Sequence, residues 1–242
     1  MARMPNPFGP SRPYEMRYES RADAGAVARF FNAVYAWMAA GLALTAVVAW
    51  WVSTRPDVMA QVFRGPVLIG LVVAQLALVW TVSAATRKLG AGAATALFLL
   101  YSALNGLTLS VLFIAYAHAT LASAFVISAG MFGAMSVFGF VTKRDLSGLG
   151  SLLFMALIGL ILASVVSLFW RNSMLTTIIN YAGVLIFVGL TAYDTQRLKE
   201  VAVATAGDAA AAARYSVNGA LTLYLDFINL FLFLVRILGR RD

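Results

Sequence analysis

Seven stretches of this chain stay apolar for close to the length that crosses a bilayer, about 20 residues. They lie at 27–52, 66–85, 93–115, 119–141, 149–170, 174–197 and 217–238. No other feature constrains the fold as strongly. In hydrocarbon every backbone N–H and C=O must be satisfied within the protein, and a helix does this inside one segment. The runs therefore predict an all-α polytopic membrane protein with seven transmembrane helices. Composition agrees: with 62% hydrophobic and 12% charged residues, no soluble domain of 242 residues could hide this much apolar surface.

The rest of the composition mainly excludes. No cysteine is present, which removes disulfides, thiolate metal sites and cysteine nucleophiles. One histidine cannot build a histidine-rich metal centre, and no resident cofactor is expected. The net charge of +8 is read as basic residues at span ends, with the lipid bilayer and not nucleic acid as the partner. Residues 1–26 are polar, with Pro5, Pro10 and Pro13 and several arginines, and are expected to be a disordered cytosolic tail. They lack the apolar core and small-residue cleavage site of a signal peptide, so the first apolar run is retained as a span. Residues 27–242 then form one seven-helix domain, whose longest connection is the alanine-rich stretch 198–216. With the N-terminus inside, twelve of the 18 Lys and Arg residues fall on the inner side, so the N-terminus is placed in the cytoplasm and the C-terminus outside.

The last run, "LTLYLDFINLFLFLVRILG" (Leu221 to Gly239), carries Asp226 inside it. An ionisable group at that depth costs at least ~2.5 kcal/mol, so its default reading is functional. Asp194, in "GLTAYDTQRLK" near the inner end of the sixth run, is the only other acid inside a predicted span. The two runs are consecutive and antiparallel, so both carboxyl groups can face one inner half-channel. Carboxylates in contact cannot both ionise cheaply and share a proton. Asn218, Thr222, Asp226 and Asn229 follow at helical spacing and form one polar stripe, which is read as pore-lining. Ser102, Asn105 and Thr108 share a face of the third run; they either line the same cavity, the reading taken for Asn105, or bond to neighbouring helices. Ala129, Gly133 and Gly139 in the fourth run suit close helix packing. His118 is read as a solvated loop residue, and Arg87 and Lys88 as basic groups at the inner end of the second run.

"FGAMSVFGFVTKRDLSGLGS" (Phe132 to Ser151), "GLTAYDTQRLK" (Gly189 to Lys199) and "LYLDFINLFLFLVRILG" (Leu223 to Gly239) resemble the most characteristic stretches of the Bax inhibitor-1, or transmembrane Bax inhibitor motif, family, in a bacterial-type member. The resemblance covers nearly all of the chain after the tail. It implies a central seventh helix and a pH-sensing aspartate pair that controls a calcium leak. The pair falls on Asp194 and Asp226, which would also be the transit ligands for calcium. A basic latch on the sixth-helix aspartate falls on Arg87 or Lys88. The second run holds Gln75 and no acid, so any role of an acid there is not carried over. Some bacterial relatives are linked to membrane proteases, which leaves a non-conducting regulator of proteases or stress responses as the alternative. A remoter one is an intramembrane aspartyl protease. Tyr193-Asp194 fits its first motif, but Leu223-Tyr224-Leu225-Asp226 lacks the glycines of its second. The expectation is a pH-sensitive calcium leak channel of a bacterial inner membrane, and no enzyme.

Overall fold

The computed structural model describes residues 13–85, 90–170 and 172–239. Its helices are α1 (Pro13–Ser53), α2 (Pro56–Val62), α3 (Gly65–Ala85), α4 (Ala91–Leu109), α5 (Leu112–Ala115), α6 (His118–Val141), α7 (Ser147–Phe169), α8 (Ser173–Ala204) and α9 (Ala209–Leu238). There is no strand among the described residues. Seven spans are long and apolar enough to cross a membrane, and each matches an expected run within a few residues except where helix extends beyond it. The third span is α4 continued through α5.

Two boundaries differ from expectation. Helix α1 begins at Pro13, so residues 13–26, read as part of a disordered tail, are helical; residues 1–12 lie outside the described residues. Proline suits a first helical position because its fixed φ is helical and its missing N–H is not needed there. The stretch 198–216 is not a long connection either. Its alanines favour helix, so α8 runs on to Ala204 and α9 starts at Ala209. Asp208 caps the new helix by accepting a 2.9 Å hydrogen bond from the Ala211 N–H.

Helix α9 is the centre of the bundle. It packs against α8, α1, α6 and α4, and 56% of its span is buried, against 6% for α3 and for α7. Leu223, Tyr224 and Leu230 are wholly enclosed. In lipid, helices associate through close packing and not through exclusion of water, so small residues mark the contacts. In α6 the buried stripe is Leu121, Ala124, Ser128, Phe132, Ser136 and Gly139. Gly139 abuts the Ala192 carbonyl of α8, and a Cβ there would overlap it. Gly133 has open space around it and Ala129 is exposed, so of the three small residues expected to mediate packing only Gly139 does so.

The turn between α6 and α7 is tied to α8 by the side chains of "GLTAYDTQRLK". Gln196 accepts from the Leu146 N–H at 2.8 Å and donates to the Arg144 carbonyl at 2.8 Å. Lys199 donates to the Phe140 carbonyl at 2.9 Å. At the start of α7, Asp145 accepts from the Ser147 N–H at 2.8 Å. That backbone hydrogen bond, helped by the Ser147 hydroxyl, favours the charged carboxylate and lowers the Asp145 pKa below its ordinary 3.8.

Candidate functional site

Helices α8 and α9 run antiparallel, and their pairing sets the site. Phe187 of α8 stacks on Phe233 of α9, ring centroids 6.0 Å apart. Seven residues on from Phe187 comes Asp194, and seven back from Phe233 comes Asp226. Both steps are about two helical turns, so the carboxyl groups meet at one level, within hydrogen-bonding reach of each other. Two carboxylates this close repel each other unless one of them holds a proton that the other can accept. Asp226 is 4% exposed, and its Oδ2 has no hydrogen-bond partner. Asp194 is half-buried, and the exposed Arg197 acts on it electrostatically from one turn away.

The pair faces a cavity of about 1160 Å³ between α7, α8 and α9. Thr222, Leu225 and Asn229 line it beside Asp226. The Asn229 amide donates to the Leu225 carbonyl at 2.8 Å, which fixes the side chain with its amide oxygen as the remaining acceptor. The structure thus brings Asp194, Asp226, Thr222 and Asn229 together at one cavity. Asn218, one turn further toward the start of α9, is half-buried and does not line the cavity; its carbonyl accepts from the Thr222 hydroxyl at 3.2 Å.

Asn105 is also elsewhere. It points to the opposite face of α9, where its amide donates to the Tyr224 hydroxyl at 2.8 Å. Thr45 of α1 meets the same hydroxyl at 2.7 Å and donates to the Ser102 carbonyl at 2.8 Å. Residues 224 and 226 point to nearly opposite sides of a helix, so this cluster ties α9 to α1 and α4 and cannot reach the aspartates. Of the two readings of the Ser102–Asn105–Thr108 face, bonding to neighbours is the one observed. Thr108 accepts from Gln75 of α3 at 3.2 Å, and Gln75 also donates to the Leu104 carbonyl at 2.9 Å. His118 is exposed at the first residue of α6. Arg87 and Lys88 lie outside the described residues.

One lining residue has no place in the sequence reading. Asn180 of α8 is 2% exposed, lines the same cavity, and its Oδ1 has no hydrogen-bond partner. It precedes Asp194 by close to four helical turns, which puts both on one face of α8. That shared face was the available signal. Among the described residues no group of three or more His, Cys, Asp or Glu side chains could hold a metal ion, so any cation here has two carboxyl groups plus neutral oxygens.

Residues 27–242 match the family described as "Bax1-I: Inhibitor of apoptosis-promoting Bax1". The chain belongs to the Bax inhibitor-1 family. Relatives of this family member include "Inner membrane protein YbhL" of Escherichia coli strain K12, 57% identical over 210 residues, covering 86% of this chain and 90% of that protein. A Deinococcus radiodurans protein is 48% identical over 217 residues, 89% and 92% of the two chains. A Borreliella burgdorferi protein is 42% identical over 214 residues, 88% and 92% of the two. This Bax inhibitor-1 family protein is an integral membrane protein with seven spans and a central seventh helix.

Proposed function

We propose that the protein is a pH-sensitive cation leak pathway, with calcium as its ion, in a bacterial inner membrane. The carrying observation is the Asp194–Asp226 carboxyl pair at the wall of a cavity inside the bilayer span. A structural role would leave no buried acid oxygen unpartnered, because each such group costs about 1–3 kcal/mol. Calcium takes 6–8 oxygen ligands. Two carboxyl groups, the Asn229 amide oxygen and water make a weak transit position and not a tight store. The name and 57% identity of the E. coli relative support the inner membrane. The excess of Lys and Arg on alternate connections supports a cytoplasmic N-terminus and an external C-terminus.

The proton on the pair sets the gate. While Asp194 is charged it attracts a basic group, for which the family resemblance offers Arg87 or Lys88; Arg197 is a second cation on the same carboxylate. Protonation removes that attraction and opens the pathway. Full protonation of both acids then weakens cation binding, so flux peaks between these limits. The protein is no protease in this reading: Leu225 lines the cavity next to Asp226, where a peptide backbone would have to approach.

The test is calcium flux into liposomes holding the purified full chain, across a pH series, with a transmembrane peptide as a cleavage control. A pH-dependent flux above empty liposomes, without cleavage, is expected. No flux at any pH would favour a non-conducting regulator. Cleavage lost in both Asp194→Ala and Asp226→Ala would favour the protease.

A further inference from the structure

The cavity is far longer than a transit position for an ion requires. It follows α7 from Ser147 to Leu168, a rise of about 30 Å, which matches the hydrocarbon thickness of a bilayer. Helix α8 forms its floor, and α7 and α9 form its walls. Helix α7 is a peripheral wall: it packs on α8, and only 6% of its span is buried. The groove therefore opens sideways toward lipid. Its middle is apolar, with Leu157, Leu160, Phe187, Leu190 and Phe233.

The end remote from the aspartates is polar again. Arg236 is exposed at that end, its guanidinium 5.7 Å from the centre of the Phe233 ring. Asn180 stands close by with its unpartnered amide oxygen. Their heights follow from the Phe187–Phe233 stack. Arg236 lies one turn beyond Phe233, and Asn180 about two turns beyond Phe187, so Asn180 sits about 6 Å further toward the membrane surface than Arg236. From the middle outward the groove thus presents an apolar floor, a cation, then a buried acceptor. Among the described residues the only acids lining it are Asp194 and Asp226, at the other end.

We propose that the groove between α7 and α9 is a phospholipid site. An acyl chain lies over Phe233 and Leu160, the phosphate meets Arg236, and a headgroup ammonium or hydroxyl donates to Asn180. The order of features matches the order of groups in a phospholipid, which a transmembrane helix of a partner would not match.

The test uses the full-length chain in detergent and titrates defined phospholipids by native mass spectrometry. One lipid is expected to remain bound. Phosphatidylethanolamine or phosphatidylglycerol should bind at least fivefold more tightly than phosphatidylcholine, whose headgroup has no N–H or O–H to give. Asn180→Leu should erase that preference, and Arg236→Gln should weaken all three lipids by about tenfold. A phospholipid with a photoreactive acyl chain should label Leu160 and Phe233 well above Ile69, Val73 and Leu76, lipid-facing residues of α3. Leu160→Trp, which fills the groove, should suppress that labelling even if either polar variant folds poorly. Equal labelling of α3 and the groove would mean ordinary boundary lipid and overturn the proposal. So would unchanged affinities in the Arg236 and Asn180 variants, or photocapture of another polypeptide by the groove. None of these readouts measures ion flux, so this site and the calcium pathway stand or fall separately.

Discussion

Replacing Asp226 by leucine should make the protein more stable and less able to pass ions. The carboxyl is 4% exposed, and one of its oxygens has no partner. Removing such a group recovers about 1–3 kcal/mol. Against this, Asp194 loses its partner; it is half-buried and faces the cavity, so water replaces the lost bond at a cost of about 1 kcal/mol. The net gain is about 0–2 kcal/mol, or up to roughly 8 °C in melting temperature for a chain of this size. Asp226→Asn should behave differently. It keeps the shape, and its amide can donate to Asp194, so the melting temperature should stay within a few degrees. It holds no titratable proton, and it removes one of the two ionisable groups next to the transit position. One charge at ~4 Å contributes up to ~4 kcal/mol at an effective dielectric of ~20, so a tenfold fall in calcium flux is a minimum. The pH profile should flatten as well. Melting is read in detergent by loss of near-UV circular dichroism, and flux in liposomes by an enclosed calcium dye. If both variants keep the flux and pH profile of the unaltered protein, or if Asp226→Leu melts lower, the assignment of Asp226 to function over structure is refuted.

Other outcomes follow from the same geometry. Tyr224→Phe leaves the Asn105 amide without its acceptor while Thr45 keeps the Ser102 carbonyl; stability should fall by about 1–3 kcal/mol with the pH profile of flux unmoved, and a changed profile would place this cluster in the pathway after all. Neutralising the true latch, Arg87→Gln or Lys88→Gln, should raise flux at alkaline pH, where Asp194 is charged, and change little at acidic pH; if the single and double variants all track the unaltered protein at alkaline pH, no latch resides there. Asp145 has its pKa lowered by the Ser147 N–H, so its support of α7 is present above the ordinary value of 3.8 and is lost as pH falls through the lower folded-state value. Asp145→Ala should therefore melt below the unaltered protein at neutral pH, with the gap closing below about pH 4; a gap that persists in acid would show that the capping bond is not what is lost.

The sequence by itself determined the spans. An apolar run of about 20 residues is a local property, and the bilayer forces it to be helical whatever its neighbours are. It also determined that Asp194 and Asp226 share a level, because consecutive antiparallel helices fix the relative height of their residues. The stripe Thr222–Asp226–Asn229 was legible for the same reason, since helical periodicity places residues on a face. Which face meets which helix is not local. Asn105 and Asn229 are alike in type and in setting, yet one bonds to Tyr224 behind α9 and the other lines the cavity in front of it. Gly133 and Gly139 are alike too, and only Gly139 meets a neighbouring backbone. Asn180 shares a face of α8 with Asp194, but its place in a groove depends on how α7 leans on α8. These choices depend on how small and large side chains interlock across helices distant in sequence, and in lipid that packing decides the arrangement because a general hydrophobic drive between helices is lacking.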